Sequence, residues 1–320
     1  MLNFVKRTFG PRRKARAPLR GALHGPAHVP PEVLKQVRLL ELKTRRLVNT
    51  LFSGEYRSVF KGHGMDFTEV REYQPGDEVR SIDWNVTARM RKPFLKRYVE
   101  ERELTIMLVM DVSGSEQFGT VSRFKSDVLM EFATIIAMSA VRNNDRVGVM
   151  FFTDRVEYVV PPRKGKRHAL RMMRDLLAFK PEGKETNLVP ALQQLNQTLH
   201  HHTVVFVVSD FVATGYERVL KHLAQRHDVI AVPVSDPSEN VLPDIGVARL
   251  VDPEAGSYIE IDTSSNAVRT AYSEYTATEE TSRRQKFRRL GVEEIPLSTT
   301  RAAIEPLLKF FRSRRTAIRH

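Results

Sequence analysis

A doubly wound α/β fold on a mostly parallel sheet, preceded by a β-rich appendage, is predicted for this 320-residue chain by three observations. Four short runs, LTIMLVM (104–110), VGVMFF (147–152), TVVFVVS (203–209) and DVIAVPV (228–234), are apolar throughout, as strands covered on both faces must be. Helical patterns at about 121–142, 167–179, 188–200 and 215–226 fill the intervals between them. Strand and helix therefore alternate, the order that yields a parallel sheet with helices on both sides.

The elements follow in order. Residues 1–31 are rich in Pro, Gly and Arg without apolar periodicity, which predicts a disordered tail. From Pro31 the positions Val33, Leu34, Val37, Leu40, Leu47 and Leu51 recur at helical spacing, so an amphipathic helix is expected there, with Pro31 suited to its first turn. Residues 54–103 change to Gly and Pro punctuation with alternating aromatic or β-branched positions, the pattern of a small β-rich subdomain; Gln74-Pro75-Gly76-Asp77 suits a type II turn. Within the main fold RVEYVVPP (155–162) reads as an antiparallel edge strand. Beyond residue 234, LVDPEAGSYIEID reads as a hairpin, 266–289 as a helix, GVEEIPL as a last strand and 301–312 as a closing helix. The expected organisation is a basic tail (1–31), a helix plus β-rich subdomain (32–103), the main α/β domain (104–300) and a basic C-terminal helix (301–320).

Charge is concentrated at the ends. Residues 1–31 carry +7 and residues 283–320 carry +8 against a total of +13, so the intervening chain sums to about −2. Basic ends fit solvated tails, an anionic membrane surface or nucleic acid. No apolar stretch approaches the roughly 18–20 residues of a membrane helix, and the basic N-terminus has no apolar segment behind it, which predicts a cytoplasmic protein, at most peripheral at the inner membrane. The chain has no cysteine, so any metal must sit on oxygen or imidazole.

Open α/β sheets place their sites beyond the carboxyl ends of strands. Asp111, Ser113 and Ser115 lie just beyond one such end, Thr186 precedes a helix, and Asp210 ends the third of the four buried runs. If the strands at 104–110 and 203–209 are neighbours, these five side chains converge. Two carboxylates and three hydroxyls are hard donors that suit Mg²⁺ or Mn²⁺. The plainer alternative for the first triplet is a polar loop capping the helix that begins near Val121.

Asp111-Val112-Ser113-Gly114-Ser115, then Thr186, then Ser209-Asp210, resembles the metal-ion-dependent adhesion site (MIDAS) of von Willebrand factor A domains. Upstream, Gly76-Asp77, Arg80, Ile82-Asp83-Trp84, Ala88-Arg89, Lys96 and Glu100-Glu101-Arg102-Glu103 resemble the bacterial family called domain of unknown function 58. The likeness covers about residues 54–300, with Glu116 and Lys184-Glu185 departing from the usual pattern. It implies a von Willebrand factor A-like domain in which Ser113, Ser115 and Thr186 contact the metal directly, and Asp111 and Asp210 act directly or through water. One coordination position is left for a partner's Asp or Glu. Families of this kind are associated with MoxR-type AAA+ ATPases, so the resemblance implies an adaptor in assembly or maturation of protein complexes.

The residues leave other readings open. A peripheral membrane or nucleic-acid binder could act through the basic ends, nucleic acid being the weaker case. A Mg²⁺-dependent phosphatase could use Asp111, but no His lies near the three loops and no phosphate-binding glycine motif or His-Glu-x-x-His is present, so no enzyme is expected. His200-His201-His202 reads as a solvated turn, Trp84 as core of the appendage, and Asp77, Arg80, Asp83, Arg89, Lys96 and Glu100 as an ion-pair network tying the appendage to the main sheet.

Overall fold

The computed structural model describes residues 30–51, 66–74, 77–79, 82–99, 103–114, 123–183, 185–251 and 258–318. The basic tail, Ser115, Arg80 and Glu100 lie outside them. A sheet runs in the order β10 (Glu293–Glu294), β7 (Asp228–Ser235), β6 (Val204–Ser209), β3 (Thr105–Asp111), β4 (Arg146–Phe152), β5 (Val156–Arg163). All pairs are parallel except β4 with β5, which form the expected antiparallel edge. The last predicted strand is split into β10 and β11 (Leu297–Ser298), both on β7, because Pro296 between them has no N–H for the ladder.

Why the central strands are apolar at every position is visible in their packing. On β3, Ile106, Leu108 and Met110 face one core cluster, with residues of α3 (Lys125–Asn143), α4 (Lys166–Ala178) and α8 (Ile304–Ile318). Met107 and Val109 face the other, with α5 (Leu188–Thr198), α6 (Glu217–Ala224) and α7 (Asn266–Leu290). Each fully buried side chain of this kind contributes about 1.5–3 kcal/mol, so neither face tolerates a polar residue. The strand is anchored at its start by Asp145, whose Oδ1 accepts from the Leu104 N–H at 3.0 Å.

α3 is the most buried helix. Its first turn is closed by Asp127, whose carboxylate accepts from the Phe124 N–H, and its end by Asn144 in the left-handed conformation. α1 (Pro31–Leu51) packs on α3 and α4, burying Val37, Thr44 and Val48, and Glu41 pairs with Lys166 at 2.5 Å. The C-terminal helix α8 is part of the core rather than a loose basic end. Leu307, Phe310 and Phe311 are buried in the cluster with α3, and Arg314 pairs with Asp228 at 2.7 Å and Glu293 at 3.3 Å.

The appendage, expected to be β-rich, pairs β1 (Asp66–Glu72) with β2 (Phe94–Val99) antiparallel. Between them the structure adds a helix that the strand-only expectation omits, α2 (Trp84–Met90). Asp83 explains it: its carboxylate accepts from the Asn85 and Val86 N–H groups, an N-cap that starts a helix from a segment of poor helical periodicity. Trp84 consequently stands 67% exposed, which overturns its assignment to the core. Pro75 and Gly76 of the expected type II turn lie outside the described residues; the Asp77 N–H donates to the Gln74 carbonyl, and Arg71 grips Asp77 with both terminal nitrogens, at 2.6 and 2.8 Å. Asp77 and Asp83 thus make contacts inside the appendage. The hairpin of β8 (Val247–Val251) and β9 (Tyr258–Asp262) stands apart from the sheet. Among the described residues no helix is long and apolar enough to cross a membrane.

The two exposures make opposite predictions. Phe311→Ala, at a site 1% exposed, should cost about 3–5 kcal/mol of unfolding free energy, whereas Trp84→Ala should stay within about 0.5 kcal/mol of wild type. Urea denaturation followed by circular dichroism measures both.

Candidate metal centre

Counting β3 as the first strand, the chain moves outward through β4 and β5, then crosses back to place β6 on the other side of β3. Adjacent strands leave in opposite directions at this reversal, so a crevice opens between the carboxyl ends of β3 and β6. Register sets Met110 opposite Val208, which brings Asp111 beside Ser209 at the crevice floor.

Asp111 is fully buried. Its Oδ1 accepts from the Ser113 N–H at 3.0 Å and its Oδ2 from the Ser209 hydroxyl at 2.8 Å. Ser113 is equally buried, and its Oγ accepts from the Thr186 hydroxyl at 2.8 Å. Asp210, half-buried, follows β6, and its Oδ1 accepts from the Val212 N–H at 3.1 Å. The structure therefore brings together Asp111, Ser113 and Thr186 in one hydrogen-bonded group with Ser209, and sets Asp210 close enough for its charge to act on Asp111.

Thr186 reaches this point because its loop is pinned. The Asn187 N–H donates to the Thr153 carbonyl at 2.9 Å, and the Asn187 side chain caps α5. Glu157 on β5 accepts from the N–H groups of Glu182 and Gly183, at 2.9 and 2.7 Å. Gly183 is required here, since a Cβ would lie 2.3 Å from Thr153 Oγ1 and 2.4 Å from Asp154 Oδ1. Sequence reasoning missed Glu157 and Gly183, for no motif links them to Thr186; it quoted Ser209 only as part of a motif. A lone glycine in a Lys/Glu-rich loop was the available hint. His200, His201 and His202 are exposed at the far end of β6, as a solvated turn should be.

The electrostatics are lopsided. Burial pushes the Asp111 carboxyl up to about 6, the charge of Asp210 adds to the rise, and the hydrogen bonds from Ser113 and Ser209 oppose it. Among the described residues neither aspartate has a Lys or Arg ion-pair partner, and no three acidic or His side chains cluster. The resulting group is a net-negative set of hard oxygen donors, able to hold a divalent cation of the Mg²⁺ type. Alongside it a cavity of about 820 Å³ opens between α1 and α3, lined by Leu39, Leu40, Leu129 and Met130, with residues 111–113 in its wall.

A raised carboxyl pKa destabilises the fold once the group ionises. Below about pH 4 both states hold the proton, and between about 4 and 6 the folded state keeps a proton that the unfolded state releases. Stability in chelator should therefore fall as pH rises through this window, by about 3 kcal/mol in all. Asp111→Asn should lack that fall and be the more stable protein at pH 7.5 in EDTA, as thermal melts across pH will show; parallel pH profiles for the two proteins would contradict it.

Comparison with known proteins identifies the family. The family profile described as "Protein of unknown function DUF58" matches residues 69–282. Uncharacterized protein Rv1480 of Mycobacterium tuberculosis is 30% identical over 288 residues, covering 89% of this chain and 90% of that protein. Uncharacterized protein YeaD of Bacillus subtilis is 26% identical over 121 residues, 37% of this chain and 27% of that protein. Among solved structures, BatB from Bacteroides thetaiotaomicron superposes with a TM-score of 0.44 at 13% identity, covering 67% of this chain and 99% of that one. An aerotolerance-related membrane protein from Bacteroides fragilis gives 0.46 at 14%, with the same coverage. The profile spans most of the chain and the mycobacterial relative nearly all of it: the protein belongs to the DUF58 family.

Proposed function

We propose that the protein is a metal-dependent protein-interaction module, in which Asp111, Ser113, Thr186 and Asp210 hold Mg²⁺ or Mn²⁺, with Ser115 completing the set. The observation that carries this reading is the pairing of a buried aspartate with a second aspartate without a described cationic partner. Uncompensated buried charge is costly, and folds keep it where something neutralises it. The hydroxyl spacing fits as well. Ser113 Oγ and Thr186 Oγ1 are neighbours, hydrogen-bonded at 2.8 Å, so both neutral oxygens could face one cation.

A bound divalent cation would supply positive charge and an open coordination position to an incoming carboxylate. The chain's own residues do the rest. Asp111 and Asp210 balance the charge, Ser209 and the Ser113 N–H orient Asp111, and the pinned Thr186 loop sets the neutral side of the site. Binding then depends on surface that presents a partner's Asp or Glu, and the resemblance makes a MoxR-type AAA+ ATPase the first candidate.

Calorimetric titration with Mg²⁺ tests the metal: Asp111→Ala should lose at least about a hundredfold in affinity with its circular dichroism unchanged, since it removes half the formal charge. Equal affinity in mutant and wild type would end the reading. Thr186→Ala removes a ligand but no charge, so it should keep measurable Mg²⁺ binding and lose most capture of a MoxR-type ATPase in a pull-down, as EDTA should. Undiminished capture by wild type, Thr186→Ala and EDTA-treated protein alike would place the docking surface elsewhere.

A further inference from the structure

Three non-glycine residues have left-handed backbones among the described residues: Arg91, Asn144 and Phe211. Arg91 and Asn144 are helix C-caps, where this conformation is usual. Phe211, with φ of 58°, is not at a helix end; it follows Asp210 in the loop between β6 and α6, and a bulky side chain rarely adopts this region unless its surroundings impose it. The surroundings here are specific. The ring is 5% exposed, meets the edge of Phe287 at 5.0 Å between centroids and tilts against Tyr216 at 5.8 Å. Phe287 is itself the only buried residue of α7, so the helix sets its one core ring against this loop.

The backbone held this way orients the site. The Phe211 N–H donates to Ser209 Oγ at 3.2 Å, and that hydroxyl donates to Asp111 Oδ2 at 2.8 Å. One residue on, the Val212 N–H holds Asp210 Oδ1 at 3.1 Å. A relaxed, negative φ at residue 211 would swing the Val212 N–H away and free the Asp210 carboxylate. We infer that Phe211 is a positioning residue for the metal centre: its ring, clamped by Phe287 and Tyr216, forces the turn that aims Asp210. The inference rests on the metal reading above for its consequence and on the turn for its geometry. It also makes the seating of α7 a determinant of metal affinity.

The test compares Phe211→Ala, Phe287→Leu and, as a control from the same core cluster but remote from the turn, Leu195→Ala. Mg²⁺ titration calorimetry and amide hydrogen exchange at residues 211 and 212 are read on each. Phe211→Ala should weaken Mg²⁺ at least tenfold and Phe287→Leu at least threefold, with faster exchange at both amides. Leu195→Ala should lower the melting temperature comparably while keeping Mg²⁺ affinity and both amides within twofold of wild type. A folded Phe211→Ala with wild-type affinity overturns the inference; if that variant does not fold, wild-type affinity in Phe287→Leu does so. Should wild type bind no Mg²⁺, the metal reading fails, and exchange at residues 211 and 212 still decides whether the ring holds the turn, unchanged protection in Phe211→Ala or Phe287→Leu counting against it.

Discussion

The parallel pairing of β3 with β6 is the contact on which the rest of the site depends. Neither strand carries the site alone: Asp111 ends one and Ser209-Asp210 ends the other, and they meet only because the chain crosses back over β3 after completing β4 and β5. The pairing is made by apolar residues buried on both faces, so the register that brings Asp111 beside Ser209 is fixed by packing far from either polar group. A slip of one residue would exchange the two faces of β3 and bury none of its side chains correctly.

That arrangement sets a cost against a use. Asp111 is held with both oxygens hydrogen-bonded and, among the described residues, no cationic ion-pair partner, beside a second carboxylate, at the end of a strand buried on both faces. Hydrogen bonds from Ser113 and Ser209 reduce the penalty without removing it. A cation would remove it, and the same neutralisation would leave a partner's carboxylate free to approach. On the proposed function, stability and binding would be linked through one charge balance. The pinned loop bearing Thr186 and the forced turn at Phe211 keep the donors in place before any ligand arrives, which is the condition for a site to discriminate by geometry.

Much of the main fold was legible because burial on both sides of a parallel sheet leaves a signature that needs no context: short, uninterrupted apolar runs spaced by helical periods. Asp111, Thr186 and Asp210 could be placed at strand ends and loops for the same reason. What escaped depends on contacts distant in sequence or on single side chains. α2 exists because Asp83 caps it, a local event hidden within a strand-like pattern, and its formation turns Trp84 outward. Glu157 holds the Thr186 loop across 26 residues of sequence, through the Gly183 N–H. α8 reads as a basic end, yet Phe311 packs into the core and Arg314 is spoken for by Asp228 and Glu293, both set in place by the sheet. Phe211 gives no sign in the sequence, since a left-handed phenylalanine is produced by its neighbours.

The proposed divalent cation would sit on these oxygens in the crevice between β3 and β6. Diffraction from crystals grown with Mn²⁺, recorded at the manganese edge, tests it most directly. One anomalous peak is expected, bound by Ser113 Oγ and Thr186 Oγ1, with Asp111 and Asp210 as direct or water-linked neighbours. A crevice without such a peak at saturating Mn²⁺, or with a Lys or Arg side chain in its place, would contradict it.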